Sequence, residues 1–252
     1  MTSPAAALER IHAYILEVTR PLCTVKQVGS FDLLLHRKLM VPWASAAVPR
    51  LGTTDWTQHL DHVAEAFGSA GRSPRWEFIR ELFPGLAEDL ASAGFGTPTI
   101  EPLLALDSIS PVDAAQISAD VAIRPFDSDL DDAAEVVELV QSAFDSAADA
   151  AALEAFRSSV AAPNVVQLIA LSEERPVGSG RMTHHRGVAE ITGVAVVKTH
   201  RRQGIGSALT KLLTRAAIEL GSGIVYLTAR DEGAGRIYER LGFARIGSYV
   251  EV

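Results

Sequence analysis

Residues 194–209 carry the pattern most readily connected with chemistry, because an apolar strand there leads through a basic turn into a helix. Gly204 and Gly206, at the start of that helix, have no side chains that would keep a ligand from the backbone. A helix N-terminus offers unpaired N–H groups and a partial positive charge. Arg201 and Arg202 add two cations. The pattern predicts a site for the diphosphate of a phosphorylated cofactor.

Two common phosphate-binding motifs fit this segment less well. A P-loop needs GxxxxGK[ST], and the sequence contains no such string. A dinucleotide fingerprint needs GxGxxG directly after a strand, but its third glycine would be Leu209, and residues 198–203 separate the glycines from the strand. A helix start that holds no ligand stays open as the simplest alternative.

Residues 121–252 resemble the GCN5-related N-acetyltransferase (GNAT) superfamily. Residues 201–209, RRQGIGSAL, fit its [Q/R]xxGx[G/A] loop. Residues 189–196, AEITGVAV, match its fourth strand, and residues 237–243, IYERLGF, match its closing helix and strand. Three motifs at the family spacing cover about half of the chain.

The resemblance implies that the cofactor is acetyl-CoA. The backbone of the basic loop would hold the pyrophosphate, the fourth strand would pair with the pantetheine arm, and a backbone N–H near Ala195 or Val196 would serve the oxyanion. Asp231 stands where many members have Asn, which puts the usual contact there in doubt. The implied cofactor-binding residues are Val194, Ala195, Val196, Arg201, Arg202, Gln203, Gly204, Ile205, Gly206, Ser207, Ala208 and Asp231.

The reaction implied by the resemblance is acetylation of a primary amine by direct attack in a ternary complex, without a metal or a covalent intermediate. The amine must lose a proton, and Glu190 stands where several members have a glutamate base. His184 and His185 are the alternative bases, and as strand neighbours at most one of them faces the cleft. Tyr238 stands where the family has the acid that protonates the leaving thiolate.

The elements that must position these residues follow a mixed α/β order. From residue 121 we expect β-α-α-β-β-β-α-β-α-β, with helices over residues 127–144, 149–160, 204–220 and 234–241. In the first half we expect a helix near the N-terminus, strand-like or extended segments at 30–36 and 39–48, a strand at 75–79, helices at 55–67 and 82–93, and an extended segment at 95–106. The fold class predicted is α/β with a mixed sheet.

A repeat at an offset of 148 residues relates the two halves. The junction Ala93-Gly94-Phe95 corresponds to Leu241-Gly242-Phe243, and helix, strand, helix, Gly-Phe, strand occurs twice. Opposite the basic loop the first half has GTTDW, with one glycine and an acid. We therefore predict a degenerate GNAT-like domain over residues 1–118 and a GNAT domain over 119–252, as in two-domain bacterial members. We also expect the N-terminal half to complete the C-terminal sheet.

Composition limits the partners. The 252 residues are 48% hydrophobic with a formal net charge of −8, so a broad nucleic-acid-binding surface is not expected. The single cysteine, Cys23, excludes an intramolecular disulfide and is expected to be a buried apolar residue. No apolar run suits a membrane span, and we expect a cytoplasmic location. The expected partners are a small-molecule or peptide amine and a second copy of the chain in a homodimer.

Two functions of different classes remain. One is an acetyl-CoA-dependent N-acetyltransferase of unknown acceptor. The other is a CoA-binding module that transfers nothing and whose N-terminal half binds a partner or ligand. The resemblance implies that residues 140–156 and 181–186 wall the acceptor site, and these segments carry both signs of charge.

Overall fold

The computed structural model describes residues 3–106, 118, 120–144 and 149–252. They form two compact units, and the units are not simply the two halves of the sequence. The C-terminal unit comprises residues 105–227 and 236–244, and the N-terminal unit comprises residues 2–104, 228–235 and 245–252. The boundary that we predict between residues 118 and 119 adjoins residues outside the described ranges, and it stays a prediction.

The secondary structure alternates helices and strands throughout. In chain order the elements are α1 (Pro4–Thr19), β1 (Cys23–Val28), β2 (Phe31–His36), β3 (Ala46–Pro49), α2 (Leu60–Ser69), β4 (Glu77–Ile79), α3 (Leu86–Ser92), β5 (Thr99–Leu106), β6 (Val121–Pro125), α4 (Ala133–Ala143), α5 (Ala150–Val160), β7 (Val165–Ser172), β8 (Arg175–His185), β9 (Val188–Val196), α6 (Ile205–Glu219), β10 (Ile224–Thr228), α7 (Glu232–Glu239) and β11 (Ala244–Glu251). The mixed α/β class predicted from the sequence is confirmed.

The C-terminal unit is built on a sheet with the strand order β10-β9-β8-β7-β6. Its strands are antiparallel except for β9 and β10, which are parallel. Helices α4 and α5 cover one face, where Val137 and Phe156 pack with Ile169 of β7. Helix α6 covers the other face, and it comes so close to β8 that a Cβ on Gly180 would lie 3.0 Å from Leu213 Cδ1. We call these the α4/α5 face and the α6 face.

The N-terminal unit has a sheet β1-β2-β3 and the strands β4, β11 and β5, which are neighbours in that order. Its core is aromatic, with Phe67, Trp76 and Phe78 at most 1% exposed. Cys23 is buried against Leu34, as its expected apolar role requires. Among the described residues, no helix combines the length and apolarity that crossing a membrane would need.

Strand β11 comes from the C-terminal end of the chain, yet it belongs to the N-terminal unit. It pairs antiparallel with β4, with Tyr249 opposite Ile79. Val252 and Trp76 exchange two backbone hydrogen bonds of 3.0 and 3.1 Å, and Val250 is fully buried in the aromatic core. The expectation that the N-terminal half provides a partner for the last strand is therefore met by β4.

The repeat is visible in the hydrogen bonds at its best-matched junction. The Phe95 N–H donates to the Leu90 carbonyl at 3.1 Å, and the Phe243 N–H donates to the Tyr238 carbonyl at 3.2 Å. Both junctions end a helix with a left-handed glycine, Gly94 or Gly242. The two halves thus share one helix-to-strand turn at the predicted offset.

Candidate active site

Strands β9 and β10 pair over only part of their lengths. The paired positions are Val188 to Glu190 on β9 and Ile224 to Tyr226 on β10. Strand β9 continues six residues beyond the last of these pairs, to Val196. The predicted pantetheine-binding backbone, residues 194–196, lies in this continuation.

A bulge in β9 separates the paired part from the predicted cofactor-binding part. Thr192 faces Arg181 on β8, but Ala195 faces Ser179, so β9 has one extra residue between these pairs. Gly193 supplies it, with a φ of +61° that disfavours any residue with a Cβ. The bulge changes the alternation of side chains, so Val194 and Val196 both lie close to the site of a Cβ on Gly206 at the start of α6. Gly193 is not among the site residues predicted from the sequence, although a glycine inside a strand signals a bulge.

The basic loop between β9 and α6 is tied back to the end of the strand. Arg201 Nε donates to the Val196 carbonyl at 3.0 Å, so one hydrogen-bond donor of this side chain is already used within the protein. Arg202 has a φ of +65°, an uncommon backbone conformation for a residue other than glycine. Arg202 and Gln203 are exposed. The loop therefore presents exposed polar side chains immediately before the helix.

The N-terminus of α6 is left uncapped. Its N-cap residue, Gly204, has no side chain to accept a hydrogen bond. Helices α2 and α3 also lack a side-chain cap, whereas α1, α4 and α5 are capped by Ser3, Asp132 and Asp149. The first turn of α6 contains no acidic residue. An Asp or Glu there would stabilise the helix through its dipole. Both omissions leave the positive end of the helix available to an anion.

Gly206 is a glycine that the fold alone does not require. A Cβ at this position would meet Val196 Cγ2 at 3.8 Å and Val194 Cγ1 at 3.9 Å, which are ordinary contacts. Its small size therefore suits a ligand lying against the backbone. The residues of the predicted cofactor loop are together at one helix start and fit a diphosphate in shape and charge.

Glu190 lies on the α4/α5 face of the sheet. It is half-buried, and its cross-strand neighbours are Thr183 on β8 and Tyr226 on β10. Side chains at directly opposed positions share a face. Arg181 lies two residues from Thr183 on the same strand, and its guanidinium stacks over the Phe156 ring of α5, which identifies the face.

The two alternative bases point to opposite faces. His185 shares the parity of Thr183 and therefore lies on the face of Glu190. His184 has the opposite parity and lies on the α6 face, with its Nε2 buried. Its backbone N–H donates to the Asn164 carbonyl at 2.8 Å. If a histidine replaces Glu190 as the base, the register favours His185.

Tyr238 sits near the C-terminal end of α7, where the closing turn holds its backbone. Its carbonyl accepts hydrogen bonds from the N–H groups of Leu241, at 2.9 Å, and Phe243, at 3.2 Å. Burial raises the pKa of the Tyr238 phenol above its ordinary value. The hydroxyl is therefore protonated at neutral pH and can donate a proton.

Asp231 caps α7. Its Oδ1 accepts from the Ala234 N–H at 2.8 Å, and its carbonyl accepts from the Gly235 N–H at 2.9 Å. Asp231 is exposed, so its second carboxylate oxygen faces no burial cost. Helix capping explains a short acceptor side chain at this position, and Asn would cap equally well.

The corresponding loop of the N-terminal half is built differently. Asp55 accepts hydrogen bonds from Ser30 Oγ at 2.6 Å and from Gln58 Nε2 at 2.9 Å. Trp56 is 7% exposed and donates from Nε1 to Asp89 at 2.6 Å. Leu90 stands at the position that matches Tyr238. A carboxylate and a buried indole thus replace the glycines and cations.

Comparison with known proteins shows which family and which folds the chain is similar to. Residues 133–243 match the acetyltransferase (GNAT) family. A solved GCN5-related N-acetyltransferase from Kribbella flavida is 27% identical, with a TM-score of 0.76 over 97% of this chain and 94% of its own. A tandem GNAT protein from the clavulanic acid biosynthesis pathway shares the fold at 16% identity, with a TM-score of 0.60 over 89% of this chain and 78% of its own.

A sequence relative from Bacillus subtilis (strain 168) is described as an uncharacterized N-acetyltransferase. It is 30% identical over 76 residues, which are 30% of this chain and 54% of the relative. The match thus spans about half of that protein. These similarities support a GNAT domain and a tandem layout.

Proposed function

Because residues 133–243 match the GNAT acetyltransferase family, we propose that this protein transfers an acetyl group from acetyl-CoA to a primary amine. The observation that carries the proposal is the uncapped, acid-free N-terminus of α6 beside the exposed basic loop. Helices α2 and α3 also lack a side-chain cap, but each has an acidic residue in its first turn, which α6 lacks.

Acetyl-CoA, when bound, supplies the activated acetyl thioester. In the proposal, the N–H groups at the start of α6 hold the diphosphate, and Arg202 and Gln203 add charge and hydrogen bonds from the loop. Residues 194–196, beyond the last β9–β10 pair, offer backbone groups to the pantetheine arm. Ser207 contributes a hydroxyl in the first turn.

Two side chains of this unit would move the protons. Glu190 accepts the proton that the amine loses as its nitrogen–carbon bond forms. Tyr238 donates a proton to the sulfur as the carbon–sulfur bond breaks; burial raises its pKa, so the phenol is fully protonated but is a weaker acid than an ordinary tyrosine. The products are an N-acetylated amine and free CoA.

The test is thiol release from acetyl-CoA over a broad panel of primary amines, with and without Tyr238→Phe. We expect the variant to lose roughly 100-fold in kcat, the scale of a general acid, and to keep its acetyl-CoA affinity in calorimetry. Tyr249→Phe, which removes a hydroxyl bonded to Glu77, is the control. Unchanged turnover in Tyr238→Phe would remove Tyr238 as the acid.

The same calorimetry separates the proposal from its rival. Acetyl-CoA binding without turnover of any amine would support the non-catalytic CoA-binding module. We also expect one acetyl-CoA per chain, because Asp55 and Trp56 occupy the matching loop of the N-terminal half. Two sites per chain would contradict a degenerate N-terminal half.

A further inference from the structure

Arg181 is a half-buried cation that pairs with no carboxylate in the part of the chain that the structure describes. Its guanidinium lies on the α4/α5 face, with Cζ 5.4 Å from the centroid of the Phe156 ring. Its Nε donates to Gln167 Oε1 at 3.0 Å, a neutral acceptor. No carboxylate of the described residues forms a salt bridge with it. An arginine withdrawn from water without a counter-ion is costly, so the position calls for an explanation.

Two other arginines, Arg124 and Arg75, have carboxylates beside them. Arg124 makes two hydrogen bonds, of 2.7 and 2.6 Å, to the carboxylate of Asp131. Arg75 forms ion pairs with Glu77 and Glu251. In both cases the neighbouring carboxylates raise the pKa of the guanidinium, whereas burial alone lowers that of Arg181. Arg181 thus differs from these two in being desolvated without a carboxylate partner among the described residues.

The protein also holds this side chain in place. Gln167 is 7% exposed, and its Nε2 donates to Ser179 Oγ at 2.8 Å and to the Gly180 carbonyl at 3.0 Å. These bonds orient the amide so that Oε1 receives Arg181 Nε. The aromatic ring supports one side of the guanidinium plane. An arginine fork whose inner nitrogen is fixed can present its terminal nitrogens to an oxyanion.

Arg181 and Glu190 lie on the same face of the sheet, on neighbouring strands. On antiparallel β8 and β9 they are diagonal neighbours, because Glu190 faces Thr183, two residues from Arg181. Arg181 is on β8 and donates toward β7, to Gln167, whereas Glu190 is on β9, one strand spacing of about 4.8 Å from β8. The face therefore carries a guanidinium and a carboxylate on adjacent strands.

Resting on the proposed function, we infer that the acceptor is a small amine carrying an oxyanion, a carboxylate or a phosphate, which binds the Arg181 guanidinium while its amine lies at Glu190. The arrangement is complementary to a zwitterion: the anion meets the fixed arginine fork, and the ammonium, before losing its proton, meets the carboxylate. Arg181 is accordingly a specificity-determining residue for the acceptor.

The experiment compares acidic amines with neutral partners of the same shape. Glycine, β-alanine and 4-aminobutyrate are paired with their amides, and phosphoethanolamine is paired with ethanolamine. Each is assayed by thiol release with wild type, Arg181→Met and Arg181→Lys. Arg175→Met, an exposed arginine of the same strand, is the matched control.

We expect the wild-type protein to prefer one acidic series. Arg181→Met should raise KM for that series by about tenfold or more, the value of one charge-assisted contact. It should leave the neutral partners and the acetyl-CoA affinity little changed, which also shows that the variant is folded. Arg181→Lys should recover part of the loss, because it keeps the charge without the fork.

Equal use of acidic and neutral amines, or an equal loss for both in Arg181→Met, would overturn the inference while leaving the acetyltransferase proposal intact. If no amine releases thiol, that proposal fails, and calorimetry of the same compounds with the CoA-containing protein still decides the inference. Binding of an acidic amine that Arg181→Met abolishes supports it, and no such binding refutes it.

Discussion

At the scale of the residue, burial changes the acid–base behaviour of single side chains. The His12 imidazole, on α1, is 3% exposed and lies against the Phe83 ring at a centroid distance of 5.3 Å. Burial lowers its pKa to about 4, although the nearby Asp32 carboxylate acts in the opposite direction. In the folded protein at neutral pH, the His12 imidazole is therefore uncharged.

This lowered pKa predicts a loss of stability in mild acid. Above pH 6.5 His12 is neutral in both states, but between pH 6.5 and about 4 only the unfolded chain takes up the proton, so the free energy of unfolding falls. The shift corresponds to about 3 kcal/mol across that range. Urea unfolding of wild type and His12→Leu from pH 7 to 4 measures it.

The variant should lack this part of the pH dependence, and what remains belongs to the carboxylates. His62→Leu, at an exposed position of α2, should keep the wild-type slope. If His12→Leu loses stability with falling pH as steeply as wild type does, His12 is not the group responsible.

At the scale of the element, the clearest feature is that a bulged strand leads into an uncapped helix. Gly193 shifts the register of β9 by one residue, and α6 begins without a side-chain cap or an acid in its first turn. Each choice weakens its own element. Their coincidence at one end of the sheet is what the proposed cofactor site requires.

Ser207→Asp should affect the helix and the ligand in opposite directions. An aspartate at the third position of α6 favours the helix dipole by about 0.3–1 kcal/mol, so the Tm should hold or rise. The same charge repels a diphosphate, and the acetyl-CoA Kd should increase by about tenfold or more. Thermal unfolding and calorimetry on one preparation give both numbers.

Ser207→Asn is the matched control, because it has the same shape without the charge. The two variants should differ clearly in acetyl-CoA affinity. The Tm of each should stay close to that of the wild type. Equal affinities for Asp and Asn would show that the diphosphate does not lie at the start of α6.

At the scale of the whole molecule, the last strand joins distant parts of the sequence. Residues 245–252 cluster with residues 2–104, and Val250 is buried with Trp56 and Trp76. All three tryptophans, Trp43, Trp56 and Trp76, lie in the first third of the chain. Tryptophan fluorescence therefore reports on the N-terminal unit alone.

Val250→Ala should therefore change the unfolding transition that is reported by tryptophans far from it in the sequence. Removing two buried methyl groups should lower the free energy of unfolding by about 2 kcal/mol. Denaturant unfolding followed by tryptophan fluorescence measures the change. Val25→Ala, at a 42% exposed position of β1, should leave that transition nearly unmoved. If Val250→Ala leaves the fluorescence midpoint unchanged, β11 does not contribute to the stability of the N-terminal core.

The amino-acid sequence by itself determined the features that depend on local pattern. Periodicity and turn residues predicted most elements of the C-terminal half to within a few residues, and Ser3 and Pro4 begin α1. The expected helix over residues 127–144 instead starts at Ala133, because Asp132 caps it. Strand β1 escaped prediction because all its side chains but Cys23 and Val28 are exposed, so it lacks apolar alternation.

Only the tertiary structure decided the relations that join distant residues. Strand register placed Glu190 and Arg181 on one face and His184 on the other, since a shift of one residue would reverse every side chain. It also assigned β11 to the unit that contains β4. Such pairings depend on which chain segments meet, and no local pattern encodes that. The neutral surroundings of Arg181 among the described residues, Gln167 and Phe156, became visible only in the folded protein.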